Sequence, residues 1–90
     1  MTTKTIFYLI ASQENDDTHV TERYVWDGEI PIPIPRYTPS VRNHLLNHAV
    51  SFLSTDKKGI QDTLEHIAEE QNKGHIDKDL QFEKVKIEDI

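Results

Sequence analysis

Two histidines four residues apart, His44 and His48, are the residues whose spacing most readily supports chemistry. Side chains at i and i+4 share a helix face, so both imidazoles can reach one metal ion. A metal centre needs a further ligand, and His66, His75 or a carboxylate would have to supply it from another element. The glutamate that follows the first histidine in zinc-protease helices is Leu45 in this chain. Metal or small-molecule binding through these histidines is therefore an alternative reading, and no cofactor is expected.

Trp26, Arg36, Tyr37 and Arg42 form a second cluster around a proline-rich stretch. Flat rings and guanidinium groups are enriched where proteins meet partners, so with His44 and His48 they make up the candidate partner- or ligand-binding set. A core tryptophan with Arg36 lying over its ring is the structural alternative. Ser40, Ser51 and Ser54 have histidines nearby, but no glycine-flanked elbow or oxyanion hole accompanies them. Gly28, Gly59 and Gly74 are isolated, so no phosphate-cradling loop exists. The acid pairs Asp16-Asp17, Glu69-Glu70 and Glu88-Asp89 read as solvated surface, because general acid catalysis needs a desolvated carboxyl.

Charge narrows the classes further. Lys and Arg number 10 against 16 Asp and Glu, a net charge of −6. Phosphate neutralisation needs clustered cations, so direct nucleic-acid binding and attachment to an anionic membrane surface are disfavoured. An opposite idea is open: Asp62, Glu65, Glu69 and Glu70 could mimic phosphates, making the chain an acidic inhibitor of a nucleic-acid-binding protein. There are no cysteines, which removes disulfides, thiolate metal sites and thiol nucleophiles. The apolar run near the N-terminus is too short for a membrane span or a signal-peptide core, so a soluble cytoplasmic protein is expected.

The elements that must position these residues start with residues 3–11, whose six apolar side chains from Ile6 to Ala11 give a strand no polar face. Ile6, Tyr8 and Ile10 point one way and Phe7, Leu9 and Ala11 the other, so both faces want cover. Residues 12–18 read as an exposed loop, and residues 20–26 as a second strand that Asp27-Gly28 ends with a turn. In Ile30-Pro-Ile-Pro-Ile-Pro35 the prolines remove alternate donors, so the stretch is a stiff sheet edge that uses the N–H groups of Ile32 and Ile34. Ser40 is placed to cap a helix over residues 41–53, with Val41, Leu45, Ala49 and Phe52 on its apolar stripe. Asp56 caps a second helix bearing Ile60, Leu64, Ile67 and Ala68, which Gly74 stops. Residues 79–90 give a last strand, with a bulge near Glu83-Lys84 or a short run at residues 85–87, because Leu80 and Phe82 alternate out of phase with Val85 and Ile87.

The 90 residues are therefore expected to form one α+β domain. Its architecture is a two-layer sandwich, an antiparallel sheet of three or four strands with both helices on one face, in the order β-β-(Pro-rich edge)-α-α-β. One sheet face would be left for a second copy, which points to a homodimer. The leading functional expectation is an interaction or regulatory domain with a protein partner.

Overall fold

The computed structural model describes residues 4–90, and Thr3, at which the first strand was expected to start, lies outside them. That strand, β1 (Ile6–Asn15), is the centre of a five-stranded antiparallel sheet. Its partners are β2 (Val20–Trp26), β4 (Ser51–Leu53) and β5 (Gln81–Lys86), while β3 (Pro31–Pro33) pairs with the outer edge of β2. Tyr8 faces Ser51 and Val85 at once, and Ile10 faces Val25 and Glu83. A strand has two edges, so β5 takes one, and β2 and β4 follow each other along the other.

Tyr8, Leu9, Ile10 and Ala11 are all buried, as a strand without a polar face requires. They divide between two cores. Leu9 and Ala11 pack with Trp26, Phe52, Ile67 and Leu80, whereas Tyr8 and Ile10 pack with Val25, Ile34, Leu45 and Ile87. Ile67 belongs to α2 (Lys57–Asn72) and Leu45 to α1 (Pro39–His48), so each helix covers a different face of β1. The α+β class, the antiparallel sheet and the two helices agree with the sequence reading, but the placement of both helices on one face does not. Both faces are covered from within one chain, which removes the premise that a second copy must cover one.

Several boundaries move for identifiable reasons. β1 runs on to Asn15 instead of ending near Ala11, and the loop contracts to residues 16–19. There the Asn15 side chain accepts from the Asp17 N–H at 2.9 Å, and the His19 N–H donates to the Asn15 carbonyl at 2.8 Å. Helix α1 is capped by Thr38 rather than Ser40: the Thr38 hydroxyl accepts from the Val41 N–H at 3.3 Å, and Pro39 opens the helix. It also stops at His48, because Ala49 turns extended (ψ 153) and leads into β4. Strand β5 runs without a bulge, with Lys86 to Gln81 pairing evenly with Phe7 to Ser12. Its two phases serve two faces, since Phe82 joins the α2 core and Val85 and Ile87 the α1 core.

The caps of α2 are those expected. The Asp56 carboxylate accepts from the Gly59 N–H at 2.9 Å. At the other end Gly74, at φ 81, donates to the Gln71 carbonyl, and His75 donates to the Glu70 carbonyl, the two bonds of a Schellman motif.

Candidate functional site

Around β3 the proline pattern builds a ledge. Pro31 and Pro33 lack N–H groups, so β3 meets β2 through the intervening residues. The last rung is the Ile34 N–H donating to the Arg23 carbonyl at 2.7 Å. Pro35 cannot continue the ladder, and the chain leaves the sheet toward Tyr37 and α1. Beyond that rung the outer edge of β2 has no neighbouring strand, and residues 20–23 are exposed.

Three cavities surround this ledge and share Ile34 as a wall. The first, about 380 Å³, lies between residues 20–24 of β2 and residues 33–35. A second, about 220 Å³, is formed by Arg23, Ile34, Pro35, Arg36, Tyr37 and Ile90. In a third, about 300 Å³, Ile32, Pro33 and Ile34 face Val41, His44 and Leu45 of α1. Ile34 itself is 8% exposed, so the ledge is anchored in the α1 core while its rims stay open.

The residues singled out from sequence are brought together only in part. Arg36 and Tyr37 share the second cavity, joined by Arg23, and His44 lines the third. Arg42 and His48 are exposed on α1 and line none of the three. Trp26 is 1% exposed and belongs to the opposite core, so it offers no surface to a partner alongside Tyr37. Its ring meets Phe82 edge-on at 5.9 Å and His66 at 6.3 Å, and Arg36 is not its neighbour. The rings of His44 and His48 stand 4.7 Å apart, yet among the described residues no group of three or more His, Asp or Glu side chains is arranged to hold a metal ion.

The acidic face of α2 is also divided. Glu70 lies 2.6 Å from the His75 ring and 3.9 Å from the Lys73 ammonium, which leaves Asp62, Glu65 and Glu69 exposed without such partners among the described residues. The hydrogen bond from His75 holds the Glu70 carboxyl below its usual value, and the Lys73 and His66 charges add to the effect.

The distribution of acids along the sequence bears on this surface. All 16 carboxylate side chains lie outside residues 30–55, a stretch that carries Arg36, Arg42, His44 and His48. Among the described residues the well-exposed large hydrophobics are Val20, Ile30, Tyr37, Leu46 and Leu53, and all but Val20 come from that stretch. None of the arginines has a carboxylate within ion-pair distance among the described residues. Arg23, outside the stretch, is brought beside Arg36 only by the β2–β3 pairing, which no local pattern announces.

These features define an α+β domain with a ledged surface built largely from a stretch without acids, Glu22 lining the first cavity, and no helix among the described residues is long and apolar enough to cross a membrane. The chain matches no family model, no curated protein and no solved structure.

Proposed function

We propose that this chain is an interaction domain, regulatory in role, whose protein partner docks on the surface around the Ile34 ledge and α1. One observation carries the reading: in a chain of net charge −6, the exposed Val20 and Tyr37 and the arginines Arg23 and Arg36, which have no ion-pair partner among the described residues, line cavities that share Ile34 as a wall. Interface centres are depleted of carboxylates and enriched in Tyr and Arg, because charge that cannot be paired is costly to desolvate. A second copy is one form the partner takes in this proposal, since the acidic remainder of the chain complements the ledge in charge. Burial of the sheet does not demand it.

A photo-crosslinking amino acid placed at Tyr37 or His44, and at Glu65 or Glu69 as controls, tests this in cells. Discrete adducts at the first two positions and none at the α2 positions are expected, with an adduct of twice 10.5 kDa reporting self-association. Equal adducts at all four positions, or none at Tyr37 and His44, would overturn the proposal.

A further inference from the structure

The second cavity has a more specific chemistry than an apolar docking surface requires. Arg23 and Arg36 come from different elements and share it with the Tyr37 ring. Both guanidinium groups are exposed, and neither is engaged by a carboxylate of the chain among the described residues. A guanidinium presents its donors as a planar fork that fits a carboxylate in two parallel hydrogen bonds, and two such forks beside a phenol make an acid-reading notch. Glu22 is the carboxylate nearest in sequence; it accepts the Tyr24 hydroxyl at 2.8 Å on the other face of β2 from Arg23, so it lines the adjoining cavity and not the notch.

The adjoining cavity specifies the backbone of the ligand. In an antiparallel ladder the N–H and C=O of one residue point to the same edge, and alternate residues share that edge. The Arg23 carbonyl points outward, where it accepts from Ile34. Thr21 therefore points outward too, and β3 has ended before reaching it. A chain laid against that edge pairs with Thr21 by strand addition; its acidic side chain then shares the Thr21 and Arg23 face, and the side chains before and after it fall beside Val20, Glu22, Tyr24 and Pro33. Only an extended segment meets both conditions.

Building on the proposed interaction role, we infer that the notch of Arg23, Arg36 and Tyr37 recognises a glutamate or aspartate side chain on an extended, acidic segment of the partner, which adds to the open edge of β2 at Thr21. The apolar rim and Ile34 take the residues that flank the acid. Because the two arginines lie on the surface, the attraction is screened by salt and acts over roughly 8–10 Å at physiological ionic strength. The acids of α2 lie on the other side of the sheet, and Glu88 and Asp89, next to Ile90 in the wall of the notch, make no ion pair with either arginine among the described residues.

The test uses the full chain labelled with 15N and two acetylated, amidated pentapeptides, TVEVT and TVQVT, with inorganic phosphate as a third probe. Saturable shifts of the Thr21, Ile34 and Tyr37 amides with TVEVT are expected, in the millimolar range of such short ligands. The affinity should fall at least about tenfold for TVQVT, and by a similar factor in Arg36→Gln and Arg23→Gln, whose unchanged melting temperatures verify folding. Equal binding of both peptides, indifference to both substitutions, or no saturation by about 10 mM peptide overturns the inference. Tighter saturation by phosphate than by TVEVT overturns it as well, in favour of a phosphorylated ligand. Crosslinks from Tyr37 and His44 that persist in an Arg23→Gln/Arg36→Gln double variant would retain the docking surface and reject the acid-reading notch. Loss of the crosslinks at those positions in the unaltered protein rejects the docking surface itself.

Discussion

His75 and Glu70 are joined twice at the end of α2. The His75 N–H donates to the Glu70 carbonyl at 2.9 Å, and the His75 ring Nδ1 donates to the Glu70 carboxylate at 2.6 Å. In a Schellman motif these two positions usually make a hydrophobic contact. Here an ionisable hydrogen bond takes its place, so the helix terminus acquires a pH dependence.

The sign follows from the direction of the Glu70 shift. Its folded pKa lies below the ordinary 4.5, chiefly through the His75 hydrogen bond. Stability from this group is therefore present above the unfolded carboxylate value and lost as pH falls through the folded one. Glu70→Gln is expected to lower the urea midpoint near pH 6 and to leave it unchanged near pH 3. A deficit of equal size at both pH values, in parallel urea titrations, would remove ionisation as its source.

Ile34 and Ile30 occupy equivalent places in the Ile-Pro repeat but not in the fold. Ile34 is 8% exposed and packed in the α1 core, whereas Ile30 is 58% exposed. Ile34→Ala should cost about 2–5 kcal/mol, the range for truncating a buried aliphatic side chain. Ile30→Ala should stay within about 0.5 kcal/mol. Denaturant unfolding of the two variants decides it, and similar losses would mean that the ledge is not anchored through Ile34.

At Gly28 two effects coincide. Its φ of 110 is poorly tolerated by L side chains, and a Cβ there would lie 2.9 Å from Val50 Cγ2. Gly74 has φ 81 but nothing within 4 Å. Gly28→Ala is therefore expected to destabilise by about 2–3 kcal/mol and Gly74→Ala by about 1 kcal/mol. Val50→Ala should reduce the first penalty and leave the second alone, a coupling that a double-mutant cycle measures.

The sequence showed which residues wish to be buried more clearly than where the chain changes sides. Residues 6–11 announced a two-faced central strand, and the prolines of residues 31–35 announced an edge, because both signals are local. The end of α1 was not legible. Val41, Leu45, Ala49 and Phe52 keep a helical spacing across the break, although Leu45 packs on one face of the sheet and Phe52 on the other. Between them the chain crosses from one core to the other, and the pairing of Ser51 with Tyr8 that stabilises this crossing is a long-range contact. The out-of-phase pattern of β5 had the same origin, a strand that serves two cores. At the candidate site, Arg36, Tyr37 and His44 could be nominated from residue type. Arg23 could not, because its relevance depends on the β2–β3 register.

Tyr8 provides the sharpest test of the packing around β1. Its side chain is 0% exposed in the α1 core, and its hydroxyl has no hydrogen-bond partner among the described residues. Burial raises its pKa above 10.0, and Ser51, directly opposite on β4, pulls the other way without reaching hydrogen-bond geometry. A buried, unpaired hydroxyl costs roughly 1–3 kcal/mol relative to water, whereas the ring that carries it contributes its full apolar burial. Tyr8→Phe keeps the ring and removes the oxygen, so it should stabilise the fold by about 1 kcal/mol, a rise of several degrees in melting temperature for a domain of this size. Tyr8→Leu separates the two contributions, since it loses ring contacts as well and is expected to destabilise. Calorimetry of the three proteins at neutral pH reads both effects. A melting temperature for Tyr8→Phe below that of the unaltered chain would mean that the hydroxyl finds a partner in solution, from Ser51 or from water, and that the α1 core is less dry than its side chains imply.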